Sequence, residues 1–194
     1  MFVQKLKHYI LVYKQNILDD FTFIHINKTG GISISNALNI PFQHKTALEK
    51  RKELGNCWWE KRFRFAFVRN PWDRCVSQYF WRFDNSPDVS FSEWIMATFN
   101  PNNSSSQFNI FFQPQIHWLT DKNQSILVNY IGRFENIEQD YQHVLQKIGK
   151  VNKKLPHLKS TAHQNYHHYY TAETMEIVAN WFEDDILFLG YKFQ

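Results

Sequence analysis

Three short runs of apolar, aromatic and β-branched residues stand out along the chain. They cover Phe21 to Ile26, Phe63 to Val68 and Ile126 to Ile131. Nearly continuous apolar runs of this length are typical of strands that are buried on both faces, as in a parallel sheet. Each run is followed by a turn or by a helix-start signal. We therefore predict three buried strands.

Helical spacing, with apolar residues three or four positions apart, follows each predicted strand. Two further helix starts carry a capping box, at Thr46 to Glu49 and at Ser90 to Glu93. The pair Asn70-Pro71 supplies a cap and a proline at the first helical position. The first predicted helix begins at Ile32, the second covers residues 47–54, and the third begins after Asn70. The fourth runs from Ser90 to about Phe99, the fifth contains Ile137 to Ile148, and the sixth runs from Ala172 to Phe182.

Strands that alternate with helices predict an α/β fold, in which helices flank a central and mainly parallel sheet. A chain of 194 residues has room for one core of ordinary size. We expect a single domain over residues 1–194, with residues 1–20 as a polar and basic lead-in. The Asn- and Ser-rich stretch from Asn100 to Gln107 is expected to be a surface loop.

Composition and charge narrow the classes of function. The net charge of +4 suits anionic ligands but is too small to indicate nucleic acid. Cys57 and Cys75 have no metal or redox spacing, so we expect reduced thiols, a reducing compartment and a cytoplasmic location. The apolar run from Tyr9 to Tyr13 is far shorter than a bilayer span, and we expect neither a signal peptide nor a transmembrane anchor.

A glycine turn between the first strand and the first helix contains Lys28-Thr29-Gly30-Gly31-Ile32-Ser33. Glycines let a phosphate approach the backbone, and the amides at a helix start point at it while a lysine and hydroxyls complete the cradle. The loop of ATP and GTP enzymes has its glycines before the lysine and a hydroxyl for Mg²⁺. This chain has the opposite order, which favours a nucleotide whose transferred group needs no metal. The structural alternative is a plain glycine turn with a solvated lysine.

A second anion element begins where the second strand ends. Arg69 ends that strand, and Asn70, Arg74 and Ser77 lie on one stripe of the helix that follows. Arg69 and Ser77 are therefore expected to converge on one anion. The structural alternative is that Arg69 pairs with an acid and that Ser77 is a neutral residue of the helix surface.

Together these segments resemble the PAPS-dependent sulfotransferases, where PAPS is 3′-phosphoadenosine-5′-phosphosulfate. The likeness is to the carbohydrate type, which includes the heparan sulfate 2-O and chondroitin 4-O enzymes and bacterial relatives, and it implies a P-loop NTPase-like fold. It extends over residues 21–193. The segments that carry it are Phe23 to Gly31, Phe65 to Arg74 with Ser77, Ile131 to Asn136, Leu155 to Leu158, and Asp185 to Phe193.

The resemblance implies roles for individual residues. Lys28 contacts the 5′-phosphate of the donor and the bridging oxygen, while Arg69 and Ser77 hold its 3′-phosphate. Two departures are Asn27, where the family usually has proline, and Ile32, where threonine is common; neither removes a backbone amide. The remaining donor residues that the resemblance implies are Thr29, Gly30, Gly31, Ile32 and Ser33 in the loop, and Lys159 and Thr161 in a segment that closes over the donor.

His44 is the candidate general base, because a neutral imidazole suits removal of a hydroxyl proton near pH 7. Gln43 to Ala47 resembles the stretch in which the carbohydrate-type enzymes carry their base. The alternative is a loop histidine that only caps or is solvated. A histidine-rich tract lacks matching Cys or carboxylate ligands, so no metal is expected there; it contains His157, His163, His167 and His168.

The resulting hypothesis is metal-independent transfer of a sulfuryl group from PAPS to an acceptor hydroxyl, with release of PAP. The resemblance favours a glycan or glycolipid acceptor. The candidate acceptor regions are the Asn- and Ser-rich loop from Asn100 to Gln107 and the segment from Phe108 to Trp118. One rival is a phosphotransferase of similar fold that uses Mg²⁺ and ATP. The other is a glycan-binding module without catalytic activity.

Overall fold

The computed structural model describes residues 2–84, 88–107, 109–151, 153–156 and 164–194. The described residues form two compact units. The first unit is built from Met1–Val68 and Trp118–Lys159, and the second from Arg69–His117 and Ser160–Gln194. Each unit has its own core, so each is described separately.

The central sheet belongs to the first unit and has three parallel strands. They are β1 (Phe21–Ile24), β2 (Phe63–Val68) and β3 (Tyr130–Arg133), in the order β1-β2-β3. Phe23 pairs with Phe65 in the first ladder, and Ala66 pairs with Ile131 in the second. Helices flank this parallel sheet, and the predicted α/β fold is therefore confirmed.

Helices occupy most of the remaining described chain. In chain order they are α1 (Phe2–Ile17), α2 (Gly31–Leu38), α3 (Ala47–Leu54), α4 (Asn56–Glu60), α5 (Pro71–Arg82), α6 (Phe91–Thr98), α7 (Ser104–Gln107), α8 (Ile137–Lys147), α9 (Ala172–Trp181) and α10 (Glu183–Leu189). No described helix is long and apolar enough to cross a membrane.

The core of the first unit packs the aromatic side chains of the sheet against α2 and α8. Phe21 and Phe65 of the strands, Ile34 of α2 and Leu145 of α8 are fully buried there. Gly132 of β3 has a packing reason to lack a side chain, because an added Cβ would lie 2.7 Å from the ring of Phe67. These packing contacts hold the sheet in place, and no short motif reveals them.

An aromatic core stabilises the second unit, in which α5, α6 and α9 pack together. Trp72 of α5 donates its indole N–H to the carbonyl of Met175 at 3.0 Å, and Tyr170 donates its hydroxyl to the carbonyl of Trp72 at 2.9 Å. Both polar tips are therefore satisfied while the rings contribute apolar area. The large aromatic fraction of this chain is used mainly in these two cores.

The capping signals predicted helix starts correctly. Thr46 and Ser90 each form the complete capping box, and the Asn70 side chain accepts from the Trp72 amide at 3.0 Å. The predicted surface loop at 100–107 is wrong in part, because α7 occupies its end and Ser106 is buried. The helices α1, α4 and α10 were not predicted.

The predicted position of the third strand is wrong in part, because only Tyr130 and Ile131 of the predicted run lie in β3. The ladder runs over Tyr130–Arg133, whereas Ile126 is half exposed and forms only an isolated bridge with Thr120. Asn129 explains the shift, because its N–H donates to the carbonyl of Arg64 at 2.7 Å and its side-chain oxygen accepts from the Arg64 amide at 2.9 Å. Pairing with β2 therefore begins at a polar residue that the apolar pattern does not mark.

Candidate active site

The predicted phosphate loop connects β1 to α2 and has an unusual backbone. Lys28 has a φ of 65° and Gly30 a φ of 80°, so the chain enters the left-handed region twice within three residues. Thr29 fixes the turn from inside, because its buried hydroxyl donates to the carbonyl of Ile26 at 2.9 Å. Gly30 is the N-cap of α2 and has no side chain to cap the first amides of that helix. Such a turn at a helix start favours an anion.

The two glycines of the loop fill different structural needs. A Cβ on Gly30 would lie 2.5 Å from Cδ1 of Ile137, and a Cβ on Gly31 would lie 2.1 Å from ring atoms of His25. Gly31 has an ordinary negative φ, so contact with the imidazole rather than backbone conformation excludes a side chain there. The ring of His25 therefore supports the first turn of α2 directly.

His25 and His44 form the centre of the candidate site. His25 is buried, with an exposed fraction of 3%, and the centroid of its ring lies 4.7 Å from that of His44. Phe42 and Trp118 complete the surroundings of His44, with centroid distances of 4.8 and 6.1 Å. Sequence reasoning missed His25, although a polar residue at the end of an apolar strand run was a visible signal.

One hydrogen bond orients the candidate base. The Nδ1 atom of His44 lies 3.0 Å from the carbonyl oxygen of His25. A carbonyl oxygen only accepts, so Nδ1 carries the proton and Nε2 of the neutral ring keeps the lone pair. His25 precedes Lys28 by three residues, and the base is thus tied to the strand end that carries the phosphate loop.

Burial keeps both imidazoles neutral. It lowers the pKa of His25 to about 3, and the adjacent His44 lowers it further in the same direction. Burial also lowers the pKa of His44 below its ordinary 6.5, although the hydrogen bond to the His25 carbonyl opposes this effect. A histidine that is neutral near pH 7 is ready to accept a proton.

A groove of about 270 Å³ lies beside the loop, between α1 and α2. Ile32 of the loop and Phe42 both line the groove, and the ring of Phe42 also contacts that of His44. The hydroxyl of Ser35 is buried there, with no hydrogen-bond partner among the described residues. The groove therefore offers an aromatic wall and an unused polar atom to a ligand.

Arg69 lies in the second unit and is held through its backbone. Its N–H donates to Oε1 of Gln115 at 2.8 Å, and its carbonyl accepts from Nε2 of the same side chain at 2.8 Å. Gln115 is in turn fixed by Asp185, whose Oδ2 accepts from Nε2 at 3.0 Å. Sequence reasoning placed both residues only within longer segments, from Phe108 to Trp118 and from Asp185 to Phe193, and it missed their contacts with each other and with Arg69.

The guanidinium of Arg69 forms the ion pair that the structural alternative expected, with Nε 2.7 Å from Oδ2 of Asp73. Ser77 does not fit that alternative, because it is buried on α5 with an exposed fraction of 3%. Arg74 is structural: its guanidinium donates to the carbonyls of Phe111 and Gln113, each at 3.1 Å. Of the three residues predicted to share a stripe, Asn70, Arg74 and Ser77, only Ser77 therefore remains a candidate for binding an anion.

Several predicted residues fall outside the described chain. They are Lys159 and Thr161 of the closing segment, His157 and His163 of the histidine tract, and Phe108 at the start of the candidate acceptor region. His167 is described, and its ring stacks on Tyr166 at 4.1 Å while Nδ1 contacts Asn165 at 2.5 Å. Among the residues that the structure covers, no group of three or more His, Cys, Asp or Glu could hold a metal ion.

Comparison with known proteins identifies a family and a relative of this chain. The chain matches the sulfotransferase family over residues 16–192. An uncharacterized protein of Archaeoglobus fulgidus is 30% identical over 118 residues, which are 60% of this chain and 92% of that relative. The matched region contains all three described strands and most of the helices. It also contains the phosphate loop, His44 and Arg69. The chain therefore belongs to the sulfotransferase family.

Proposed function

We propose that this sulfotransferase transfers a sulfuryl group from PAPS to a hydroxyl of a carbohydrate acceptor and releases PAP. The observation that carries the proposal is the hydrogen bond from Nδ1 of His44 to the carbonyl of His25 at 3.0 Å. It ties a correctly oriented, neutral base to the strand end from which the Lys28 loop begins. A base and an anion-binding loop that are both held at the end of β1 are suited to the transfer of an anionic group to a hydroxyl.

The chemistry follows from these two groups. Nε2 of His44 accepts the acceptor hydroxyl proton as the hydroxyl oxygen bonds to sulfur and the bond from sulfur to the bridging oxygen breaks. Lys28 stabilises the negative charge that develops on the departing 5′-phosphate. A fixed cation at that position stabilises the transition state more than the ground state. The donor supplies only the activated sulfuryl group, and no metal is needed.

The donor is bound by residues of both elements in this proposal. The amides of Gly30, Gly31 and Ile32 fit a phosphate, because neither glycine has a side chain and Gly30 leaves the helix start uncapped. Thr29 shapes the loop through its bond to Ile26. The remaining proposed donor residues are Ser33 in the loop, Arg69 and Ser77 for the 3′-phosphate, and Lys159 and Thr161 in the closing segment.

The groove between α1 and α2 is the proposed entrance for the acceptor. Sugar rings pack on aromatic side chains and hydrogen-bond through hydroxyls. Phe42 and the buried hydroxyl of Ser35 supply both kinds of contact within one recess. Phe42 also contacts the ring of His44, so an acceptor in the groove approaches the base.

Calorimetry with PAP and ADP, each with and without EDTA, tests the donor. The proposal expects PAP to bind more tightly than ADP and EDTA to have no effect, because Arg69 and Ser77 select the 3′-phosphate. A phosphotransferase would bind ADP in a Mg²⁺-dependent manner. Equal affinity for both nucleotides would refute the proposed donor.

Transfer of labelled sulfate then tests the catalytic groups. His44→Ala is expected to bind PAP normally and to lose turnover, whereas Lys28→Ala is expected to lose both PAP affinity and turnover. Gln43→Ala changes the neighbouring residue and serves as the matched control. A glycan-binding module without activity would show no transfer even in the native chain.

A further inference from the structure

Helix α1 has one face that the first unit covers and another that is exposed. Leu11 and Gln15 face the first unit, and Gln15 is buried with an exposed fraction of 3%. Arg62 anchors the end of the helix, since its guanidinium donates to the carbonyls of Gln15 and Asn16 at 2.6 and 2.7 Å. The helix is therefore held to the unit along one side and at its C-terminal end.

The other face presents a stripe of large apolar side chains to solvent. At 3.6 residues per turn, its members fall within an arc of about 100°, roughly opposite the side that carries Leu11 and Gln15. Their exposed fractions range from 50% to 69%. The members of this apolar stripe are Leu6, Tyr9, Ile10, Tyr13 and Ile17.

Lysines flank the stripe on both edges. Lys7 and Lys14 lie about 40° or more beyond Ile10 on one side, and Lys5 lies about 40° beyond Tyr9 on the other. Helix α1 contains these three lysines and neither Asp nor Glu. Lys14 forms an ion pair with Asp19 at 3.2 Å, whereas Lys5 and Lys7 are exposed. Exposed lysines at such an edge extend their ammonium groups outward while their stems remain on apolar surface.

This arrangement matches an anionic lipid surface better than a second copy of the chain. Two identical helices would bring the lysines of both copies together, which costs free energy through repulsion of like charges. A bilayer of anionic lipids places its charges where the lysines reach and its acyl chains beneath the stripe. Tyr9 and Tyr13 have the apolar ring and polar tip that suit the boundary between the two layers.

We propose that α1 binds the surface of membranes that contain anionic lipids, with the apolar stripe inserted at the level of the headgroups. The helix lies along the interface and does not cross the bilayer. The proposal does not depend on the identity of the sulfuryl donor. It places α1 between the lipid surface and the groove, because Leu11, on the covered side of the helix, lines that groove.

Vesicle flotation with the full chain tests this binding. The chain should float with vesicles of phosphatidylcholine and phosphatidylglycerol, and bind those of phosphatidylcholine alone more weakly. The double variant Ile10→Gln, Tyr13→Gln should reduce the partition coefficient by about tenfold or more, because two large side chains no longer insert. Lys5→Gln with Lys7→Gln should remove most of the preference for anionic vesicles and its salt dependence.

Leu187→Gln is the matched control, because Leu187 is an apolar side chain on α10 with an exposed fraction of 69%. It should float as the native chain does, and circular dichroism should show equal helix content in all variants. Flotation that is absent for the native chain, or unchanged in the Ile10 and Tyr13 variant, would overturn the proposal. A dimer in light scattering that Tyr13→Gln disperses, without vesicle binding, would assign the stripe to a second copy instead. PAP binding, measured in parallel, reports on the donor independently.

Discussion

Stability should fall on mild acidification because of one buried side chain, His25. Its folded pKa is lowered to about 3, while an unfolded imidazole titrates near 6.5. Between these values the unfolded chain binds a proton that the folded chain does not, so the free energy of unfolding rises with pH across this window. Stability is therefore complete above about pH 6.5 and is lost progressively as the pH falls toward 3.

The size of this effect follows from the same two values. At pH 5, about 1.5 units below the unfolded pKa, the unfolded state gains about 2 kcal/mol relative to pH 8. The physical origin is the burial of the ring, which packs against Gly31, His44 and Phe42 and is shielded from solvent. Other groups also titrate, so the measurable quantity is the difference between the native chain and a variant without this imidazole.

Urea unfolding at pH 8 and pH 5 measures that difference. His25→Gln keeps a neutral side chain of similar size, and it should lose about 2 kcal/mol less than the native chain between the two pH values. Thr22→Val is the control, because Thr22 is a buried residue of β1 that does not titrate. It should show the native pH dependence. Equal pH dependence in the native chain and His25→Gln would refute the buried, neutral state of His25.

Three further predictions follow from the site. Gly31→Ala should lower the free energy of unfolding by about 1 to 3 kcal/mol in urea titrations, because its Cβ would lie 2.1 Å from the His25 ring; an unchanged midpoint would contradict this contact. Gln115→Leu should lower the free energy of unfolding by about 2 to 3 kcal/mol and weaken PAP binding, since the buried Arg69 amide loses its partner. Native PAP affinity in this variant would show that the Gln115 side chain does not position Arg69. The acidic inflection of the pH profile of kcat/KM should lie below pH 6.5, because burial lowers the pKa of His44; an inflection above 6.5 would exclude His44 as the base.

Local signals predicted much of this structure. The caps at Thr46, Asn70 and Ser90 depend on residues within one helical turn, and the helix starts were therefore correct. The third strand was misplaced because Asn129 pairs with Arg64, a partner 65 positions away. Helix α1 was missed although its apolar stripe has helical spacing, because the lysines around the stripe led to the interpretation of residues 1–20 as a polar and basic lead-in.

The candidate site shows the same division between local and distant causes. Lys28 and His44 were identified from segments that resemble known sulfotransferases, but what holds them was not. The tautomer of His44 depends on the carbonyl of His25, which is 19 positions away, and a carbonyl carries no residue identity that a sequence pattern can reveal.

Gly31 makes the point most directly. Its absent side chain was explained by the approach of a phosphate, and the structure adds a second cause in the imidazole of His25. The two causes make different predictions, because a phosphate requirement affects donor binding alone, whereas contact with His25 affects stability without any donor. Unfolding of Gly31→Ala in the absence of nucleotide therefore separates them. If that variant is as stable as the native chain yet binds PAP weakly, the glycine serves the donor; if it is destabilised, the glycine also holds the imidazole that supports the base.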